Sequence, residues 1–269
     1  MATGWDSRPV TDPAGAEWLP ALDIPAPGRQ RRWTVLLRWL LLLPQYIVLF
    51  VLTIAAFFTT VVGWFAALFL GRLPAAIHDF LASFLAYQTR VTASSLLLVD
   101  RYPPFSFDAP DHPVQIEVRA TSLNRLAVLF RLILMIPAAV IVNLLQAGWM
   151  ALAWIFWLIT LVLGRMPEPL FAATAAVARY RMRLNAYVMM LTAAYPKALF
   201  GDEPLPAAAG PAPSATRPLL LDTASKVLVV VFLVLGLAAH VLSPITTTDG
   251  DGSDGTDDIG ISRPRPATP

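Results

Sequence analysis

Long apolar runs alternate with short polar stretches along this chain. Residues 39–70 and residues 132–164 contain no charged side chain, and each run is far longer than the ~18 apolar residues that mark a membrane span. A third apolar run, residues 227–242, is shorter and contains His240 as its one titratable side chain. The pattern predicts an all-α integral membrane protein that includes one C-terminal transmembrane helix.

The central part of the chain occurs twice, at a constant offset of 93 residues. The motif Gly71-Arg72-x-Pro74 returns as Gly164-Arg165-x-Pro167, and Tyr102-Pro103 returns as Tyr195-Pro196. Because an internal duplication determines the architecture, we expect two equivalent repeats with shared structural residues. These structural residues are Pro44, Gly71, Pro74 and Tyr87 in repeat one, and Pro137, Gly164, Pro167 and Tyr180 in repeat two.

Each long run exceeds the length of one upright transmembrane helix. The 39 residues from position 33 to position 71 would extend about 58 Å as one helix, nearly twice the ~30 Å hydrocarbon thickness. We therefore expect a helical hairpin of two passes in each repeat, with one long helix as the alternative. Residues suited to the hairpin turns are Thr53, Thr59 and Thr60 in repeat one, and Asn143, Gln146, Gly148 and Trp149 in repeat two.

Further helical stretches follow the two runs, at residues 75–98 and 169–191. In the first, apolar and polar residues alternate at helical spacing, which predicts a helix lying on the cytoplasmic membrane surface. In the second, Arg179 and Arg183 share a face that Arg181 does not, so a helix buried among its neighbours is the alternative. Between the repeats, residues 114–118 alternate as in a short strand, and a small β-hairpin with residues 105–107 could form there.

The remaining segments are polar or rich in proline and alanine, and we expect two disordered tails. The C-terminal apolar run shares no register with the repeats and is predicted to be an appended anchor. The expected organisation is an N-terminal tail (1–29), repeat one (30–107), an inter-repeat loop (108–122), repeat two (123–200), a linker (201–225), the last transmembrane helix (226–243) and an acidic tail (244–269).

Arginines flank both ends of each long run. Arg32 and Arg38 precede the first run and Arg72 follows it, and the second run is flanked in the same way. Since positive residues favour the cytoplasmic side, both ends of each hairpin should face the cytoplasm. The prediction is five crossings of the membrane, with the N-terminus in the cytoplasm and the C-terminus outside.

The punctuating motifs resemble an uncharacterised bacterial membrane family, domain of unknown function 4389. The resemblance is carried by Trp64-Phe65, Gly71-Arg72-x-Pro74, Tyr87 with Arg90, and Asp100-Arg-Tyr-Pro-Pro-Phe105, and it covers about residues 30–200. Repeat two departs from it, because Ala193-Ala-Tyr-Pro-Lys-Ala replaces the last motif. The resemblance implies the fold and a location in the bacterial plasma membrane, and it implies no activity.

No motif for catalysis or nucleotide binding occurs in the chain. The chain has no cysteine, which excludes disulfides and thiolate chemistry. His78 and Asp79 have no polar counterparts in repeat two, so we interpret them as a solvated pair on a helix face. We therefore expect no catalytic, cofactor-binding or metal-binding residue, no nucleic-acid partner, and a protein that is not an enzyme.

Arginine is the one polar residue type repeated near the membrane boundary. Guanidinium groups bind phosphate through paired hydrogen bonds, so these arginines could contact anionic lipid headgroups, although they could serve topology alone. The candidates are Arg38, Arg72, Arg90, Arg131, Arg165 and Arg183. The hypothesis is a non-catalytic accessory or scaffold protein acting through lipids or another membrane protein. A transporter or lipid-translocating module is the alternative, because transporters often contain internal repeats.

Overall fold

The structure is a computed structural model that describes residues 18–202 and 214–242. Three helical segments in the described part are long and apolar enough to cross a membrane: residues 38–70, 131–163 and 223–242. The described elements are β1 (Ala21–Asp23), α1 (Arg32–Leu36), α2 (Arg38–Leu70), α3 (Ala75–Ser95), β2 (Gln115–Glu117), α4 (Arg125–Leu163), α5 (Glu168–Val188) and α6 (Thr223–Leu242).

Each long apolar run forms one continuous helix, so the predicted helical hairpins are wrong. The expectation of five crossings, which depended on those hairpins, is wrong with them. The polar residues near the middle do not need a turn, because the Thr53 hydroxyl donates to the carbonyl of Leu49 (2.7 Å) and that of Thr59 to Ala55 (2.8 Å). Such a bond satisfies the hydroxyl within the helix.

Gly148, which was also predicted to lie in a turn, brings α4 and α6 into close contact. A Cβ atom on Gly148 would overlap the backbone of Phe232, and one on Gly236 would overlap the backbone of Leu144. Small residues allow this close approach of helix backbones. Since Phe232 is fully buried, α6 belongs to the packed core, and the prediction that it is an appended anchor is wrong.

The helix after each run is not a surface helix. In α5, 15 of 21 residues are buried, and α5 packs against α3, α4 and α6. Its alanine-rich sequence explains this position, because small side chains allow neighbouring helices to approach on all sides. The alternative of a buried helix is therefore correct for α5, and α3 packs in a similar way against α2 and α5.

The two repeats are joined by reciprocal hydrogen bonds at the ends of their long helices. Where a residue of repeat one donates a hydrogen bond to repeat two, the residue 93 positions later donates the equivalent bond back to repeat one. The pattern makes α2 and α4 antiparallel and relates the repeats by a pseudo-two-fold axis perpendicular to both helices. The bonds are Gln30 N to Gly164 O (2.8 Å) with Leu123 N to Gly71 O (3.0 Å), and Trp64 Nε1 to Val128 O (2.9 Å) with Trp157 Nε1 to Val35 O (2.8 Å).

The predicted strand at residues 114–118 is confirmed as β2, but its partner is β1 rather than residues 105–107. The two strands are antiparallel, with Leu22 opposite Ile116. The offset of 93 equates Leu22 of β1 with Gln115 of β2, which is the neighbour of the residue that Leu22 pairs with. The two-fold operation therefore exchanges the two strands of the ladder, and the ladder lies on the pseudo-two-fold axis. The axis also passes between α3 and α5, where Asn185 Nδ2 donates to Gln88 Oε1 (2.8 Å).

Parts of the expected N-terminal tail and linker are ordered. Leu22 and Ile24 are buried, and Thr216 Oγ1 joins them by accepting from Ile24 N (2.8 Å) and donating to Leu22 O (2.6 Å). Apolar side chains in a proline-rich segment can still pack on a preformed core. The prediction of disorder is therefore wrong for residues 18–29, while residues 1–17, 203–213 and 243–269 lie outside the described part.

The elements form three layers. The apolar helices α2, α4 and α6 form the first, α3 and α5 the second, and the β1–β2 ladder the third, with β1 against α5 and β2 against α3. Ion pairs cover the ladder, since Arg217 lies 2.6 Å from Glu117 and 3.4 Å from Asp23. One face of the molecule is thus apolar and the opposite face is charged.

Candidate functional site

Both repeats end their long helix in the same tight turn. Gly71 and Gly164 adopt left-handed conformations, with φ of 70° and 68°, which glycine accepts without the steric penalty of a side chain. The next residues, Arg72 and Arg165, are exposed. Within the described part of the chain, neither of them forms an ion pair.

Two other candidate arginines, Arg38 and Arg131, are buried at the start of the long helices. Arg38 donates to the carbonyl of Val99 (2.8 Å) and lies 3.2 Å from Asp100 Oδ1. Arg131 donates to the carbonyl of Thr192, which the offset equates with Val99. Both guanidinium groups thus hold the loop that follows the second helix of their own repeat.

The last two candidates, Arg90 and Arg183, are buried as well. Arg90 donates to the carbonyls of Ser106 (2.8 Å) and Phe107 (2.9 Å), and Arg183 donates to that of Lys197 (3.0 Å). Because these donors are already used inside the protein, four of the six arginines are placed to fasten loops. Arg72 and Arg165 are the two candidates whose guanidinium groups face outward.

A half-open pocket of about 390 Å³ lies beside Arg72. It forms between the end of α2, the start of α3 and the segment that leads into α4. The side chains that give it chemical character are polar Arg72, His78, Thr121 and Ser122, and apolar Leu73 and Met190. The pocket therefore combines an apolar wall with a cation at its edge.

His78 lies in the wall of this pocket and is buried, with 7% of its surface exposed. Its Nδ1 atom lies 3.2 Å from Asp79 Oδ1, and the Asp79 side chain is 66% exposed. The interpretation of both residues as a solvated pair is therefore wrong for His78, because packing at the turn encloses the first residue and leaves the second in solvent.

The two repeats match a known family model. The model described as Domain of unknown function (DUF4389) matches residues 32–106 and residues 125–199, more than half of the chain. The chain belongs to the DUF4389 family. The match confirms the resemblance found in the sequence and the presence of two tandem copies. No curated protein and no solved structure matches the chain.

The two DUF4389 copies differ at the pocket. The offset equates His78 with Phe171 and Leu73 with Met166. Phe171 and Met166 are buried, with 3% and 1% of their surfaces exposed. Large apolar side chains therefore occupy these two positions in the second copy.

The predicted structural residues occupy equivalent positions in both DUF4389 copies. Pro44 and Pro137 lie inside α2 and α4, and Pro74 and Pro167 stand directly before α3 and α5. Tyr87 and Tyr180 are buried in those two helices. Tyr87 donates to Gln45 Oε1, and Gln45 Nε2 donates to the carbonyl of Pro103 (2.6 Å).

Sequence reasoning missed several residues that build the site. Met190 and the segment at residues 120–122 complete the pocket wall, although both lie far from Arg72 in the sequence. Asp202, which lies outside the family match and does not line the pocket, is a further missed residue, and it pairs with the buried Arg179. The sequence carries no local signal for such contacts. Within the described residues, no group of three or more metal-ligating side chains occurs.

Proposed function

We propose that this protein is a non-catalytic accessory protein of the bacterial plasma membrane that binds anionic lipid headgroups in the Arg72 pocket. The observation that carries the proposal is the pocket itself, which places an exposed guanidinium group next to an apolar wall. The pocket is about large enough for a lipid headgroup and the first part of the acyl chains. A phospholipid has the same arrangement, with an anionic phosphate next to apolar chains.

The polar groups of the pocket suit a phosphate. Arg72 can donate two parallel hydrogen bonds to phosphate oxygens, and Thr121 and Ser122 add hydroxyl groups to the pocket lining. Leu73 and Met190 provide the surface for the first methylene groups of the chains. Because Arg72 has no ion-pair partner in the described residues, its charge is available to a ligand.

The experiment compares lipid retention by the purified protein in native mass spectrometry, with an anionic and a zwitterionic phospholipid offered together. Arg72→Ala is expected to weaken retention of the anionic lipid about fivefold, since one arginine near a membrane contributes about 1 kcal/mol. Arg165→Ala, the same change at the equivalent exposed turn, is the matched control and should have a smaller effect.

A second variant separates the pocket from its charge. His78→Phe introduces the side chain found at the equivalent position of copy two and leaves Arg72 in place. It is expected to lower anionic-lipid retention by filling the pocket, without changing retention of the zwitterionic lipid at other sites. Equal retention by the wild type, Arg72→Ala and His78→Phe would refute the proposal.

A transporter or lipid-translocating module is the second candidate function. It is favoured by the pseudo-two-fold relation of the two copies, because many transporters consist of inverted repeats with a substrate site on the axis between them. A reconstituted flux assay with fluorescent anionic lipid separates the two candidates. Lipid movement that depends on the protein would favour translocation, and binding without movement favours the accessory role.

A further inference from the structure

We propose that α2, α4 and α6 lie in the plane of the membrane, immersed in one leaflet, rather than crossing the bilayer. The protein would then be attached to one side of the membrane through its apolar layer. The proposal rests on the membrane association proposed above, but it does not depend on the Arg72 pocket.

The first argument is the position of the β ladder along the long helices. The reciprocal bonds interchange the two ends of α2 and α4, so the pseudo-two-fold axis is perpendicular to these helices and passes near their midpoints. The ladder lies on that axis. If α2 and α4 stood upright in a bilayer, the ladder would therefore lie level with the centre of the hydrocarbon layer.

Such a position would be very unfavourable for the ladder. Its strands are only three residues long and are joined at Leu22 and Ile24 to the irregular segment that contains Thr216, and irregular backbone exposed to lipid does not occur in the hydrocarbon layer. Its side chains form ion pairs that are substantially exposed: 34% for Glu117, 35% for Arg217 and 46% for Arg119. Burying such charges in lipid costs several kcal/mol per ion. The ladder must therefore face water.

The second argument is the distribution of arginines at the helix ends. Arg32 donates to the carbonyl of Val162, so Arg32 and the nearby Arg165 lie at one end of the apolar layer. Arg125 lies beside Gly71, so Arg125 and Arg72 lie at the other end. Upright helices would place arginines on both sides of the membrane, although such residues normally favour the cytoplasmic side. In-plane helices place all four arginines at the headgroups of one leaflet.

The third argument is the shape of the apolar surface. The exposed large apolar side chains belong almost entirely to α1, α2, α4 and α6, and α3 and α5 have none. As straight helices, the 33 residues of α2 and the 39 residues of α4 extend about 50 Å and 58 Å, much longer than the ~30 Å hydrocarbon layer. A single layer of helices is about 10 Å thick, which fits within one leaflet.

The in-plane arrangement also gives the sequence pattern a new explanation. Both ends of each apolar run are positive, which first suggested hairpins with both ends in the cytoplasm. A continuous helix that lies along the cytoplasmic leaflet places both of its ends on that side without a turn. It also keeps the described C-terminal end of α6 on the cytoplasmic side, in place of the outside position expected from the sequence.

The test uses single cysteines in the full-length chain, which has none of its own. Gly28 lies near the N-terminal end of α2, where a Cβ atom has no neighbour within 4 Å, and Ser122 is exposed near its C-terminal end. Gly28→Cys and Ser122→Cys are each labelled with a membrane-impermeant maleimide in vesicles of both orientations. The proposal expects both cysteines to react from the cytoplasmic side. Labelling from opposite sides would overturn it.

A depth measurement provides an independent readout. Nitroxide labels are attached at Leu40, Ile54 and Phe69, which are exposed near the start, middle and end of α2, and their depth is measured by oxygen and nickel-complex accessibility in lipid nanodiscs. In-plane helices should give depths that agree within about 5 Å. An upright helix would place Ile54 about 15 Å deeper than the ends, half of the ~30 Å hydrocarbon thickness, and that result would overturn the proposal.

The outcomes distinguish this proposal from the proposed lipid site. Same-side labelling with unchanged lipid retention in Arg72→Ala would support in-plane attachment and refute the headgroup pocket. Opposite-side labelling with reduced lipid retention would refute in-plane attachment and support the pocket.

Discussion

The turn at residues 71–74 and the turn at residues 164–167 have the same backbone and different surroundings. Both end a long helix at a left-handed glycine and expose one arginine. In the first copy the arginine borders a pocket with His78 in its wall, whereas in the second copy Phe171 is buried at the His78 position. The duplication has kept the framework in both copies, while the side chains around the two turns have diverged.

The difference between the two turns shows which contacts the pseudo-symmetric arrangement of the copies requires. Residues that join the copies, such as Trp64 and Trp157, make the same bond in both directions. Residues that serve one copy alone are free to diverge, as Asp100 and its counterpart Ala193 show. The same holds for Gly148, which lies at the crossing of α4 and α6, whereas its counterpart Ala55 is exposed. Substitutions at equivalent positions that carry different residues test how far the two copies have diverged in their contacts.

The largest effect is expected at the crossing of α4 and α6. Gly148→Ala places a methyl group onto the backbone of Phe232, and because backbone cannot move aside as a side chain does, the cost should be about 3 kcal/mol or more. Ala55→Gly, the reciprocal change in copy one, should cost about 1 kcal/mol through helix propensity alone. Thermal unfolding in detergent measures both, and equal shifts in Tm would contradict the assigned crossing.

An intermediate effect is expected from the buried arginines of the loops. Arg38→Met leaves Asp100 without the guanidinium 3.2 Å away and should cost about 3 kcal/mol. Arg131→Met removes hydrogen bonds without leaving a carboxylate unpaired, because Ala193 stands at the position of Asp100, and should cost about 1–2 kcal/mol. The difference is read from chemical unfolding curves. It should shrink when Asp100→Asn is combined with Arg38→Met.

The smallest effect is expected from Glu117 in the ladder. The offset of 93 equates this charged residue with the buried Ile24. Burial would raise the pKa of Glu117, but hydrogen bonds and charges from Arg119 and Arg217 lower it below the ordinary value of 4.5. Its stabilising contribution is therefore complete above that value and is lost as the pH falls through the lower folded pKa.

Because Glu117 is partly exposed, this contribution should be below about 1 kcal/mol. Glu117→Gln should reduce Tm slightly at pH 7 and remove the part of the acid-induced decrease that Glu117 causes. An unchanged acid profile in Glu117→Gln would show that its ion pairs do not contribute to stability.

The repeat, the turns and the short strand could be predicted because their signals are local or periodic. Gly71, Pro74 and their counterparts specify a turn by backbone chemistry, and the constant offset specifies two equivalent units. The hairpins were predicted wrongly because each apolar run is longer than one upright crossing, and polar residues such as Thr53 and Asn143 lie where a turn would fall. A threonine hydroxyl can bond to its own helix, and nothing in the local sequence distinguishes the two cases.

The site was less predictable because it depends on contacts between distant parts of the chain. Arg38 and Arg72 look alike in sequence, and only the fold brings Val99 and Asp100 to Arg38 while leaving Arg72 exposed. The pocket needs Met190, which belongs to the other copy. The packing of α6 depends on two glycines, Gly148 and Gly236, whose meeting cannot be read from either segment alone.

The reciprocal bonds also imply what a chain with a single copy would do. Alone, it would leave the indole nitrogen of Trp64 and the carbonyl of Gly71 without the acceptor and donor that the second copy now provides. Two such chains could satisfy each other through one self-complementary interface, since each would offer the groups that the other lacks. The present molecule is in this sense a dimer made within one chain, and the covalent link between its halves has allowed their equivalent turns to differ, with His78 beside one and Phe171 beside the other.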